Sequence, residues 1–93
     1  MKDNRFMKDN RFICKTDGFG SKYYYLNNLL HREGGPAYES AGGSKFWYIY
    51  DQRHRIDGPA IEYANGDKSW WYYDNYIKCS SQEEFERLIK LKA

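Results

Sequence analysis

Two cysteines, two prolines, two methionines and two histidines are all that 93 residues hold of those types, and each shortage removes a class of protein. Cys14 and Cys79 cannot frame a disulfide scaffold or supply the ligands of a closed metal site. They read as reduced thiols of a cytoplasmic protein. No apolar run approaches the roughly 18 residues of a membrane span, and no short apolar stretch marks a signal peptide. A dominant charge is missing too: 15 Lys and Arg against 13 Asp and Glu leave a formal net charge of +2. That is little for a dedicated nucleic-acid binder. Catalytic signatures are equally scarce. Gly34-Gly35-Pro36 opens a strand, so it is no phosphate loop before a helix. No nucleophile stands beside a base, and Glu39 and Glu62 recur as solvent positions do. The expectation is a protein that is no enzyme and carries neither cofactor nor metal.

Aromatic residues fill the gap. They make up 19% of the chain, and 10 of them are tyrosines. A hydropathy this low suggests disorder, but disordered chains are poor in aromatics. The length fits one small domain, whose core must then be built of Tyr and Trp.

An internal period organises those residues. His31-Arg32-Glu33-Gly34-Gly35-Pro36-Ala37 returns 23 residues later as His54-Arg55-Ile56-Asp57-Gly58-Pro59-Ala60. The same offset aligns Gly20, Gly43 and Gly66, then Lys22, Lys45 and Lys68, then Tyr24, Trp47 and Trp70. Asn65-Gly66 between two aromatic or β-branched runs is a hairpin signal, because both residues tolerate positive φ. Gly42-Gly43 meets the same need one unit earlier. Asp51-Gln52 and Asp74-Asn75 mark the second turn of each unit. Each Gly-Pro step restarts a strand where a missing N–H does no harm. The predicted fold is mainly β: a meandering antiparallel sheet of stacked 23-residue hairpins over residues 13–78, closed by a short helix within 79–93. Strands are expected at Pro36–Ser40, Lys45–Tyr50, Pro59–Ala64 and Lys68–Tyr73. In the first unit Cys14 aligns with Ala37 and Ala60, which places a small side chain inward.

The His-Arg-x-x-Gly-Pro-Ala element followed by Gly-x-Lys-x-Trp-Tyr resembles a MORN-like repeat common among uncharacterised proteins of tailed phages. The resemblance spans about residues 13–78. It implies a stacked-hairpin sheet used as a binding scaffold. The Tyr-x-Gly of the MORN pattern is missing, with Trp47-Tyr48 and Trp70-Trp71 standing nearby, which does not favour lipid binding of the MORN type. The resemblance to phage proteins in turn implies a small inhibitor of a host defence complex, such as an anti-CRISPR or similar anti-defence protein, acting in the host cytoplasm.

Strand alternation sorts the aromatics onto two faces. Tyr24, Trp47 and Trp70, with Leu26, Ile49 and Tyr72, form the expected core column. Tyr23, Tyr25, Phe46, Tyr48, Tyr50, Trp71 and Tyr73 point the other way, and a contiguous aromatic strip of that kind suits a protein partner. The alternative is single-stranded nucleic acid stacked on an aromatic-lysine face that uses Lys22, Lys45 and Lys68. His31 and His54 are expected to stack on the following unit, with Arg32 and Arg55 pairing near the turn with Glu33 or Asp57. An unpaired sheet edge offers a route to a dimer.

The two ends depart from the period. Met1–Phe6 is copied identically as Met7–Phe12, which reads as a duplicated start with residues 1–6 mobile and residues 1–12 outside the sheet. Near the other end Ser81 and Glu84 have capping-box spacing, and Phe85, Leu88, Ile89 and Lys92 follow at helical intervals. A helix over Gln82 to Lys90 is predicted, docked on the last hairpin.

Overall fold

The computed structural model describes residues 11–92; the expectation for residues 1–6 lies outside them. Along the described chain run β1 (Phe12–Thr16), β2 (Lys22–Leu26), β3 (Leu29–Leu30), β4 (Tyr38–Glu39), β5 (Lys45–Phe46), β6 (Tyr48–Ile49), β7 (Gln52–Arg53), β8 (Ile61–Glu62), β9 (Lys68–Tyr72), β10 (Asn75–Ile77) and α1 (Gln82–Lys92). The main sheet has the order β1-β2-β4-β5-β8-β9-β10, with every neighbouring pair antiparallel. β3 folds back on β2, and β6 and β7 form a separate ribbon. The chain is therefore mainly β, an antiparallel sheet with one C-terminal helix. β1 begins at Phe12, one residue before the sheet was expected to start.

The strands are shorter than alternation predicts. Pro36–Ser40 contracts to β4, and Pro59–Ala64 contracts to β8. Neither proline can donate to a ladder, so regular pairing begins only beyond the alanine that follows each one. Lys45–Tyr50 breaks at Trp47, which still donates its N–H to Ala60 O at 2.7 Å and accepts from His54 N–H at 3.1 Å.

The first turn of each unit sits where expected, with Gly20, Gly43 and Gly66 at φ 95°, 104° and 97°. The second lies one residue earlier than Asp51-Gln52 and Asp74-Asn75. It comprises Tyr50-Asp51 (φ 46° and 67°) and Tyr73-Asp74 (φ 43° and 69°), matched in the first unit by Asn27-Asn28 (φ 52° and 70°). Two consecutive positive φ values make a type I′ connection, which suits the twist of flanking strands but is unusual for tyrosine. Histidine compensates. The Tyr50 N–H donates to Nδ1 of His31 at 3.1 Å and the Tyr73 N–H to Nδ1 of His54 at 2.9 Å. The rings stack as well, with centroids 4.2 Å and 3.8 Å apart. Each histidine thus holds the turn of the next unit, as the sequence suggests.

The arginine after each histidine performs a second packing task. The Arg32 guanidinium lies 3.9 Å from the ring centre of Tyr24, and that of Arg55 lies 3.8 Å from Trp47. Arg32 donates to Pro36 O and to Glu39, and Arg55 to Pro59 O and to Glu62. Gly35 and Gly58 are glycines because a Cβ there would come within 2.9 Å and 2.6 Å of the guanidinium carbons. Ala37 and Ala60 are fully buried. The motif is a clamp between units. Arg55 also reaches Asp57, as expected, whereas Arg32 pairs with Glu39 and leaves Glu33 to His31. Arg55 is clamped in the same way and reaches Asp57 through Nε two residues on; the residue two after Arg32 is Gly34, so no carboxylate stands at that place.

The apolar core is concentrated at the C-terminal end. Trp70, Ile77 and Phe85 are buried together, with Tyr72, Cys79, Leu88 and Ile89 against them. The indole N–H of Trp70 donates to Gln82 Oε1 at 2.8 Å, and Gln82 Nε2 donates to Ile56 O at 2.8 Å. Ser81 Oγ accepts the Glu84 N–H, but the Glu84 carboxylate takes the N–H of Ser80 in place of that of Ser81. Elsewhere the core column differs from expectation. Tyr24, Trp47 and Ile49 are only half-buried, because an arginine instead of a helix covers the first two. Cys14 is exposed, since among the described residues no strand lies outside β1 to bury it.

Candidate partner-binding face

Cross-strand register builds the second face. Tyr23 of β2 stands opposite Tyr38 of β4, Tyr38 opposite Phe46 of β5, and Phe46 opposite Ile61 of β8. Residues directly opposite share a face and touch. Their ring centres are 4.8 Å apart for Tyr23–Tyr38 and 5.2 Å for Tyr38–Phe46. Tyr25 extends the row at one end, parallel to Tyr23 at 6.3 Å, and Tyr63 ends it with an edge contact to Phe46 at 6.1 Å.

A second cluster lies beside the first. Tyr48 is opposite Arg53 across the β6–β7 ribbon, and the Arg53 guanidinium sits 3.8 Å from the ring centre of Trp71. Trp71 in turn contacts Tyr76 at 5.3 Å. Arg53 is fixed from behind by Asp74, Nε to Oδ1 at 2.6 Å. This hydrogen bond holds the Asp74 carboxyl below the usual carboxylate range and raises Arg53 further. The charge is thus neutralised within the face. Burial pushes the Tyr48 phenol up, against a smaller opposing effect of Arg53. The Tyr23 hydroxyl donates to Asp17 at 3.0 Å, and that bond raises its pKa to about 12.

Five of the seven residues singled out from sequence therefore meet on this face: Tyr23, Tyr25, Phe46, Tyr48 and Trp71. Tyr50 and Tyr73 do not share it. Their positive φ removes them from strand alternation, and they stack on His31 and His54 as turn residues. Sequence reasoning missed Tyr38, Tyr63, Tyr76 and Arg53. Tyr38 and Tyr63 have no aromatic at the 23-residue offset, and Tyr76 falls there on Arg53, so no column of aromatics marked them; for Tyr38 and Tyr63, alternation along their strands was the available signal.

The lysine row occupies the other side. Lys22 is opposite Glu39, Glu39 opposite Lys45, Lys45 opposite Glu62, and Glu62 opposite Lys68. The result is a ladder of alternating sign, back to back with the Tyr23–Phe46 row. Within the aromatic row Tyr23 stacks on Tyr25 and Tyr38, Tyr38 is tilted against Phe46, and Phe46 meets Tyr63 edge-on. Among the described residues no three His, Cys, Asp or Glu side chains form a metal-holding group, and no helix is long and apolar enough to cross a membrane. Compared with known proteins, the chain matches no family model, no curated protein and no solved structure.

Proposed function

We propose that this chain is a non-enzymatic protein-binding module whose aromatic sheet face docks on a protein surface, in the manner of a small phage-type inhibitor of a host defence complex. The observation that carries this reading is the continuous aromatic row from Tyr25 to Tyr63, adjoined by Tyr48, Arg53, Trp71 and Tyr76, on the face away from the charged ladder. Tyr, Trp and Arg are the residues that dominate protein–protein hot spots, because they add area at little rotamer cost. Tyr23 already stacks on Tyr25 and Tyr38, which favours protein groups over base stacking, where ring faces must be open. The separation of the lysines from this row supports the same choice over nucleic acid. Inhibition by occlusion needs no catalytic group. It also fits a domain of this size.

The test is capture of a partner from host lysate, followed by titration of purified components. Trp71→Ala is expected to weaken binding by about 2 kcal/mol or more with the fold retained, and affinity should change little between about 50 and 200 mM salt. Retained affinity in the Trp71 variant, or capture abolished by nuclease, overturns the reading.

A further inference from the structure

The N-terminal edge of the sheet has an interaction surface of its own, which does not rest on the partner face. β1 is five residues long, with no proline and no bulge, and it ends the sheet order. The direction of its backbone groups follows from its neighbours. Tyr24 donates its N–H to Ala37 O and accepts from His31 N–H, both on the side away from β1, while Asn27 donates to Arg11 O. In an antiparallel ladder the inward and outward groups alternate. Ile13 and Lys15 therefore bond to β2, and Phe12, Cys14 and Thr16 turn their N–H and C=O groups outward. Among the described residues nothing pairs with them. Phe12, at the start of this edge, is 69% exposed. With Cys14, Tyr24 and Arg32 it lines a groove of about 450 Å³.

We infer that two copies of this chain pair through β1 in antiparallel register about a twofold axis at Cys14. This register alone gives every outward residue a partner: Phe12 meets the partner's Thr16, Cys14 meets the partner's Cys14, and Thr16 meets the partner's Phe12. About six backbone hydrogen bonds form, two for each of the three pairs. Charge agrees with the same register, which places Arg11 opposite the partner's Asp17, a carboxylate whose pKa is lowered by the Phe19 N–H. Edge strands that must remain single are usually short or bulged, and β1 is neither. Its one charge, Lys15, has its backbone groups turned inward to β2 and in this register stands opposite the partner's Ile13, which is uncharged. An isologous pairing closes on itself and leaves no further edge of the kind. Both aromatic faces then lie on one side of a doubled sheet.

The test combines mass and register. Sedimentation of the full chain from about 1 µM to 1 mM should show a concentration-dependent dimer. In a Cys79→Ser background, a short bismaleimide should join two chains through Cys14, whose Cα atoms would lie about 5.5 Å apart. Cys14→Lys sets like charges opposite each other at an already exposed position, and should weaken association at least tenfold. Thr16→Pro removes an outward N–H and should do the same, with far-ultraviolet dichroism confirming that β1 remains folded. A monomer throughout the series, a dimer that does not cross-link at Cys14, or a folded Cys14→Lys or Thr16→Pro variant that dimerises normally would overturn the inference.

Discussion

At the C-terminal end of the sheet, Trp70 is 8% exposed beneath α1 and Phe85 is fully buried against it. At the N-terminal end the residue aligned with Trp70 is Tyr24, half-buried under the Arg32 guanidinium, and the strand outside it carries an exposed Cys14. Among the described residues, both ends of the sheet leave a unit with no strand on one side. One end is closed by an amphipathic helix that brings Phe85, Leu88 and Ile89. At the other, the described residues add polar contacts such as Arg11 N–H to Asn27 Oδ1. The difference shows where this small domain keeps its hydrophobic stabilisation. The middle of the sheet is held mainly by clamps and turn locks, and the last unit by a true apolar core.

The sharpest way to break this comparison is a pair of alanine substitutions. Trp70→Ala should cost about 3–5 kcal/mol, because it empties a buried site under a helix. Trp47→Ala should cost about half as much, since an arginine stem covers that ring and can settle onto the gap. Equal shifts in a denaturant titration would show that the middle and the end share one kind of core. Next in size is Gly58→Ala, expected to cost about 1–3 kcal/mol by displacing Arg55 from Trp47. A melt unchanged from the parent would show that the clamp holds nothing.

The turn locks give a pH dependence that rests on histidine. Burial lowers the pKa of His54 below 6.5, and its Nδ1 must stay unprotonated to accept the Tyr73 N–H. Neutral His54 thus stabilises the fold fully above about pH 6.5. That contribution declines as the pH falls through the lowered value. His54→Gln should flatten this acid limb of the melting curve; an unchanged limb would assign it to other groups. The smallest effect is expected for Ser44→Ala. It removes the Oγ acceptor of the Ala64 N–H in an exposed turn, at about 0.5–1 kcal/mol, and thermal unfolding would measure it.

Much of this was legible in the sequence because glycine, proline and asparagine act locally. Gly66 supplies the positive φ of its turn, with Asn65 before it outside that region, and Ser81 begins a helix without help from distant residues. The face residues Tyr23, Tyr25, Phe46, Tyr48 and Trp71 were readable by alternation for the same reason. Tyr50 and Tyr73 were not. Nothing in a tyrosine announces a left-handed turn, and each adopts one because a histidine from the preceding unit accepts its N–H. Trp47 and Trp70 are identical in type and aligned in register, yet only the second is buried.

The chain by itself therefore determined the period, the glycine turns, the antiparallel hairpins and the capped helix, since each follows from backbone preferences within a few residues. Tertiary structure decided the rest. It set which aligned aromatic is buried and where the second turn bends, and it placed the lysine ladder and the aromatic row on opposite faces with their final membership. These depend on what a neighbouring unit offers, whether a guanidinium, a histidine nitrogen or a helix, and a repeat read along one strand cannot show what lies across the next.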